Sequence, residues 1–260
     1  MVEVALTTLG CAKNQVDSEI MIDILESKDY KRTDDYESAE VIIVNTCGFI
    51  ADAKEESIET ILQLAQYKEE GNCEVLVVTG CLAQGYSDEL KEEMPEIDAM
   101  LGTGNFDEIL KVIEEGLAGK KNIKISEPDF NYDDYIAETT ISNKNSAYVK
   151  IAEGCNNNCS YCLIPKLRGG LKSRSIENIV AEVEQLAANG IKEINVIAQD
   201  ITQYGRDLDG ESKLVPLLKE LVQIEGIKWI RLLYAYPLHI SDELIELMAQ
   251  EDKICNYLDV

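Results

Sequence analysis

The chain has 260 residues, 45% of them apolar, and a formal charge of −25 from 49 acids against 24 bases. The apolar share supports a packed core and argues against disorder. No apolar run nears the ~20 residues that span a bilayer, and no basic-then-apolar leader precedes Val4, so a soluble, cytoplasmic protein with no membrane role is expected. So acidic a chain repels a nucleic-acid backbone unless its bases are concentrated locally, and it matches a basic protein partner more readily.

In the first half, short apolar runs alternate with longer amphipathic ones. Residues 2–10 (VEVALTTLG), 40–47 (EVIIVNTC), 73–81 (CEVLVVTGC) and 98–104 (DAMLGTG) read as buried strands. Helical patterns fill 14–27, 52–71, 86–93 and 105–119 between and after them, with Asp52 and Asn105 as expected N-caps and Gly71 and Gly119 as expected stops. Strand–helix alternation of this kind builds a parallel sheet with helices on both faces. Residues 120–145 break the rhythm with a polar, acid- and tyrosine-rich stretch that reads as a linker with a short hairpin. The expected division is a doubly wound domain over 1–125, a linker over 126–143 and a second α/β domain over 144–260. In that second part, strands at 147–154, 192–200, 229–237 and 256–260 alternate with helices, one of them capped by Ser175 and others over 213–225 and 241–252. A chain that stops on a strand with about four strands in its sheet leaves an apolar edge open, and is expected to be the front part of a longer protein.

Eight cysteines without a leader favour reduced, metal-binding thiols over disulfides. Cys155, Cys159 and Cys162 lie in EGCNNNCSYCLIP, just after the first strand of the second part. A structural zinc ion wants four ligands, and the single histidine, His239, lies far downstream. Three thiols suit a 4Fe–4S cluster whose fourth iron stays open to a small molecule. Downstream, IPKLRGGLKSR carries Lys166, Arg168, Lys172 and Arg174, a local positive field that suits an anionic cluster and a carboxylate-bearing ligand. Gln199 and Asp200 close the strand VIAQD, at the end where parallel α/β sheets bind ligands.

Three further cysteines close strands in the first half: Cys11 in TTLGC, Cys47 in VNTC and Cys81 in VTGC. In a doubly wound sheet the carboxyl ends of the strands share one edge, so these three can converge into a second open-site set. Cys73 and Cys255 open strands and are read as structural.

The three-cysteine loop resembles the signature of the radical S-adenosylmethionine superfamily. LGCAKNQVDSE, VNTCGFIADAKEESIE and VTGCLAQ, together with that loop, resemble the methylthiotransferase family across nearly the whole chain, and its RimO type more than its MiaB type. The resemblance implies that the second part is the beginning of a partial (β/α) barrel. It implies two 4Fe–4S clusters, one on Cys155, Cys159 and Cys162 and one on Cys11, Cys47 and Cys81. S-adenosylmethionine would be contacted by Tyr161, which precedes the last cysteine, and by Arg174, Gln199 and Asp200. The implied reaction inserts a methylthio group at an unactivated C–H bond, the β-carbon of an aspartate in small-subunit ribosomal protein S twelve, with an external electron donor. No side-chain base could usefully deprotonate such a carbon near neutral pH, so a radical route is required. The alternatives are a transfer-RNA methylthiotransferase of the MiaB type, with RNA contacted through a terminal domain beyond this chain, or a non-catalytic iron–sulfur or zinc protein.

Overall fold

The computed structural model describes residues 1–128, 132 and 145–260. It forms two units: Met1–Phe130 with Lys166–Arg168, and Asn131–Pro165 with Gly169–Val260. The hairpin expected within 120–145, and most of the expected linker, lie outside the described residues.

The first unit runs β1 (Val2–Thr8), α1 (Ala12–Glu26), β2 (Tyr30–Thr33), β3 (Val41–Thr46), α2 (Ala51–Ala65), α3 (Tyr67–Glu70), β4 (Val75–Gly80), α4 (Cys81–Glu93), β5 (Ala99–Leu101), α5 (Ile109–Leu117) and β6 (Asn122–Lys124). Its six strands are all parallel, in the order β2-β1-β3-β4-β5-β6. Every residue of β3 and β4 is buried, as their unbroken apolar runs require for strands covered on both faces. Ile42, Val44, Leu76 and Val78 share a core with Ile61 and Leu64 of α2 and Leu82 and Leu90 of α4. The alternate residue Val75 lies against Gly116 of α5, so helices cover the opposite face as well.

Two strands escape the sequence reading. YKRT (β2) and NIK (β6) are short and polar because they are the outer strands, half wetted and held only by their pairing. Two expected caps are also corrected. The N-cap of α2 is Ile50, and Asp52 lies in the first turn, where its charge complements the helix dipole without capping. Asn105 does stand at the N-cap of the one-turn 3-10 helix Phe106–Glu108 that leads into α5, but its side chain makes no cap bond, because its Oδ1 accepts the Ser126 N–H and hydroxyl, each at 3.0 Å. The expected helix at 86–93 begins at a break at Tyr86, and one more helical stretch precedes it, starting at Cys81.

The second unit runs β7 (Ser146–Lys150), β8 (Ala152–Glu153), α6 (Ile164–Arg168, its last three residues counted with the first unit), β9 (Lys172–Ser173), α7 (Ile176–Ala188), β10 (Glu193–Ile197), α8 (Arg206–Asp209), α9 (Leu214–Leu221), β11 (Trp229–Leu232), α10 (Asp242–Gln250) and β12 (Ile254–Leu258). Four strands form a parallel sheet in the order β12-β11-β10-β7. Ser175 caps α7 by accepting from the Asn178 N–H, and Ser241 caps α10 by accepting from Leu244. The strand expected at 147–154 splits at Ile151. Its second part, β8, leaves the sheet and pairs antiparallel with β9, Ala152 opposite Ser173 and Glu153 opposite Lys172. That ribbon closes the base of the three-cysteine loop. Both units are α/β with parallel sheets.

Candidate functional site

In the first unit, Cys11 precedes α1, Cys47 follows β3 and Cys81 opens α4 directly after β4. The strands concerned, β1, β3 and β4, are neighbours in one parallel sheet, so their carboxyl ends present the three cysteines along one edge. Burial pushes the Cys81 thiol up, the Arg168 guanidinium on its sulfur pulls it back down, and the charges of Cys11 and Cys47 add to the upward push. Gly10 has φ +89°, and a Cβ there would stand 2.7 Å from Cys47 Cβ, so only glycine lets these loops close. Asn14 of α1 donates to Leu9 O at 2.8 Å and Thr46 O at 2.9 Å, tying the Cys11 and Cys47 segments together. Ser57 donates to Cys47 O and accepts from Cys47 N, fixing that residue from α2.

Sequence reasoning placed Arg168 in a basic field beside the three-cysteine loop. The structure instead buries its side chain in the first unit, where Nε donates to Cys81 Sγ at 3.3 Å and Nη1 to Asp17 Oδ2 at 2.9 Å. Arg174 is buried too: it donates to Lys150 O at 2.8 Å and to Asn178, and pairs with Glu182 at 2.5 Å. Two of the four bases are thus neutralised by buried acids. Only the destination of the side chain, invisible in a local window, reveals this. The position of Arg174 is that of a brace between β7 and α7.

In the second unit, Cys155, Cys159 and Cys162 occupy the loop between β8 and α6, all partly buried and all free thiols, as are the other five cysteines. Burial pushes the Cys155 thiol up, and the charges of Asp200, Cys162 and Cys159 act in the same sense. Backbone N–H groups of Asn157 and Ile164 point at Cys155 and Cys162 sulfurs, each at 3.5 Å. Asp200, at the end of β10, is buried and accepts from Asn157 Nδ2 at 2.8 Å and from the Thr202 N–H at 3.0 Å, so it holds the loop between two of its cysteines. Gln203 reaches the same Asn157 from the other side and also bonds His239.

A further buried group went unread in the sequence. Glu153 accepts from Lys150 at 2.8 Å, from Tyr132 at 2.9 Å, from the Gly154 N–H at 3.2 Å and from Gln199 Nε2, and Lys150 is fully buried. This network anchors the residue immediately ahead of the cysteine loop. Gln199 Oε1 is left buried with no hydrogen-bond partner among the described residues. Tyr161 is 83% exposed.

Among the described residues no three His, Cys, Asp or Glu side chains converge on a point fit for a single metal ion. A tetrahedral zinc needs its ligands on one point, about 2.3 Å from each sulfur, whereas the cysteines of a cubane each take a different iron and stand further apart. Three free thiols, backbone N–H groups aimed at sulfur and an arginine on Cys81 suit a cluster at both places.

Residues 3–102 match the model of an uncharacterized protein family, UPF0004, and residues 149–260 match that of the Radical SAM superfamily. A solved structure of the radical S-adenosylmethionine methyltransferase TsrM from Kitasatospora setae aligns with a TM-score of 0.66 at 16% identity, over 98% of this chain and 58% of that one, a likeness of fold. The chain belongs to the radical S-adenosylmethionine superfamily. The ribosomal protein uS12 methylthiotransferase RimO of Syntrophotalea carbinolica is 53% identical over 99% of this chain, and that of Clostridioides difficile 50% identical over 100%. Within the superfamily, this chain is a member of the RimO family of methylthiotransferases. It spans 57% and 59% of the length of those two relatives.

Proposed function

We propose that this chain carries the two cluster-binding parts of a methylthiotransferase that modifies an aspartate β-carbon of ribosomal protein uS12. The observation that supports this most is the pair of three-thiol sets, one in each unit, the first at the ends of three neighbouring parallel strands and the second on the single loop between β8 and α6. Cys155, Cys159 and Cys162 would hold one 4Fe–4S cluster, with S-adenosylmethionine at its open iron, and Cys11, Cys47 and Cys81 the other. When bound, the first supplies the electron that cleaves S-adenosylmethionine and the second presents the sulfur to be methylated and inserted.

The chain's own residues bind and orient. Asp200, through Asn157, fixes the loop between Cys155 and Cys159. Glu153 takes the Gly154 N–H and sets where the loop begins. Gln199 Oε1, a buried acceptor without a partner among the described residues, suits a donor on S-adenosylmethionine, since leaving such an atom unpaired costs about 1–3 kcal/mol. Tyr161, exposed on the same loop, would cover the adenine. Arg174 contributes by holding β7 behind the loop. An external reductant delivers the electron. The cytoplasm, where thiols stay reduced and ribosomal proteins are made, is the setting this chemistry needs. No helix among the described residues is long and apolar enough to cross a membrane.

Iron, acid-labile sulfide and zinc per chain, measured after anaerobic reconstitution, test the proposal. About eight irons are expected from two clusters. About four would leave a radical site with no sulfur donor, and zinc without iron would overturn the proposal. With two clusters present, incubation with S-adenosylmethionine, a reductant and uS12 should add one methylthio group to an aspartate-containing peptide, read by mass spectrometry. Modification of a transfer RNA instead would overturn the choice of substrate.

A further inference from the structure

We infer that Arg168 is a positioning residue that raises the reduction potential of the cluster held by Cys11, Cys47 and Cys81; the inference rests on the function proposed above. The guanidinium is 2% exposed and donates from Nε to Cys81 Sγ at 3.3 Å, from Nη1 to Asp17 Oδ2 at 2.9 Å and from Nη2 to Asn14 Oδ1. The carboxylate and the amide, three residues apart on one face of α1, hold the guanidinium with its Nε on the sulfur. The backbone is pinned as well, since the Thr103 hydroxyl donates to Leu167 O at 2.6 Å.

A cluster on three thiolates is anionic and gains a further negative charge on reduction. An N–H donated to one ligand sulfur stabilises the reduced state more than the oxidised one, so the potential rises even though the charge of Arg168 is balanced by Asp17. The Cys81 sulfur sits where this counts most, because its residue is 6% exposed and water screens it little. Asp17 and Asn14 serve this role by orientation: without them the long arginine side chain has other rotamers to adopt.

The test uses the full chain with Cys155→Ala, Cys159→Ala and Cys162→Ala, so that only the first set can hold iron. After anaerobic reconstitution, potentials are read by redox titration followed by electron paramagnetic resonance. Four proteins are compared: this parent, Arg168→Lys, Arg168→Met, and Arg168→Met with Asp17→Asn, which leaves no buried carboxylate unpaired. The expected result is about four irons in the parent and the double variant, with a lower potential in the double variant and in Arg168→Met. Arg168→Lys should recover part of the shift, because it keeps the charge and a donor but not the fork. Equal potentials in all four would reduce Arg168 to a structural ion pair and overturn the inference. Should Arg168→Met lose its iron, Arg168→Lys and the double variant decide, and an unshifted potential in both overturns it. A parent that takes up no iron would overturn the cluster assignment itself, a failure distinct from an unshifted potential.

Discussion

Cys159 lies between the other two thiols of its loop, and its own sulfur leans on Asn157 O at 3.9 Å. Removing it takes one of three ligands from one set and leaves the other unit untouched. Cys159→Ala should therefore abolish S-adenosylmethionine cleavage and lower reconstituted iron from about eight to about four per chain. Loss of all iron in that variant would contradict two independent sites. Cys73 shows the opposite fate of a thiol: it precedes β4, packs among apolar residues at 5% exposure, and burial pushes it from 9.0 to about 11. The folded state thus holds this proton more tightly than the unfolded state does. Its contribution to stability is full below about pH 9 and is lost as the pH climbs through 11, by at most about 3 kcal/mol. Denaturant midpoints of the wild type and Cys73→Ala, followed from pH 7 to 11, should differ in slope above pH 9, the wild type falling faster. Parallel curves would show that burial does not hold the proton there.

At the scale of elements, the first thiol set depends on how closely three strand-to-helix loops approach. Gly10 closes one of them, with φ +89° and no room for a Cβ beside Cys47. Gly119, which ends α5 at φ +74°, has nothing within 4 Å of where its Cβ would be. Either substitution by alanine costs about 1–2 kcal/mol in backbone strain. Only Gly10→Ala should also displace Cys47 and reduce iron loading in the first unit, whereas Gly119→Ala should load fully and merely melt earlier. Equal loading in both variants would mean that the thiol set tolerates a shifted loop. The second loop is held differently, by the β8–β9 ribbon at its base and by polar bonds from Asp200 and Glu153 inside it.

For the molecule as a whole, the dominant quantity is the charge of −25. The bases that break this trend are themselves partly consumed, since Arg168 and Arg174 are buried against Asp17 and Glu182. A chain of this kind attracts a basic protein at long range, and salt screens that attraction over a length of about 8 Å at physiological strength. On the proposed function, affinity for uS12 should fall several-fold between about 50 and 300 mM salt, mainly through a slower association rate. An association rate indifferent to salt would remove electrostatics from the account of partner choice.

The strands β3 and β4, the helices behind them and the Cys155–Cys162 loop are legible in the sequence, because each rests on short-range order. An unbroken apolar run needs cover on both faces, and cysteines at fixed spacing on one loop cannot stray far apart. The parallel class of both sheets follows from the same alternation. What only the tertiary structure decided is where the polar side chains end. The outer strands β2 and β6 exist by virtue of their neighbours. Arg168 reaches Cys81, Asp17 and Asn14, which lie 87, 151 and 154 positions away in sequence. Asp200 finds Asn157 across 43 positions, and Tyr132 meets Glu153 across 21. A local window carries hydrophobic period and turn chemistry. The pairing of buried charges is settled by the fold, because a charge removed from water must find its partner wherever the chain brings one.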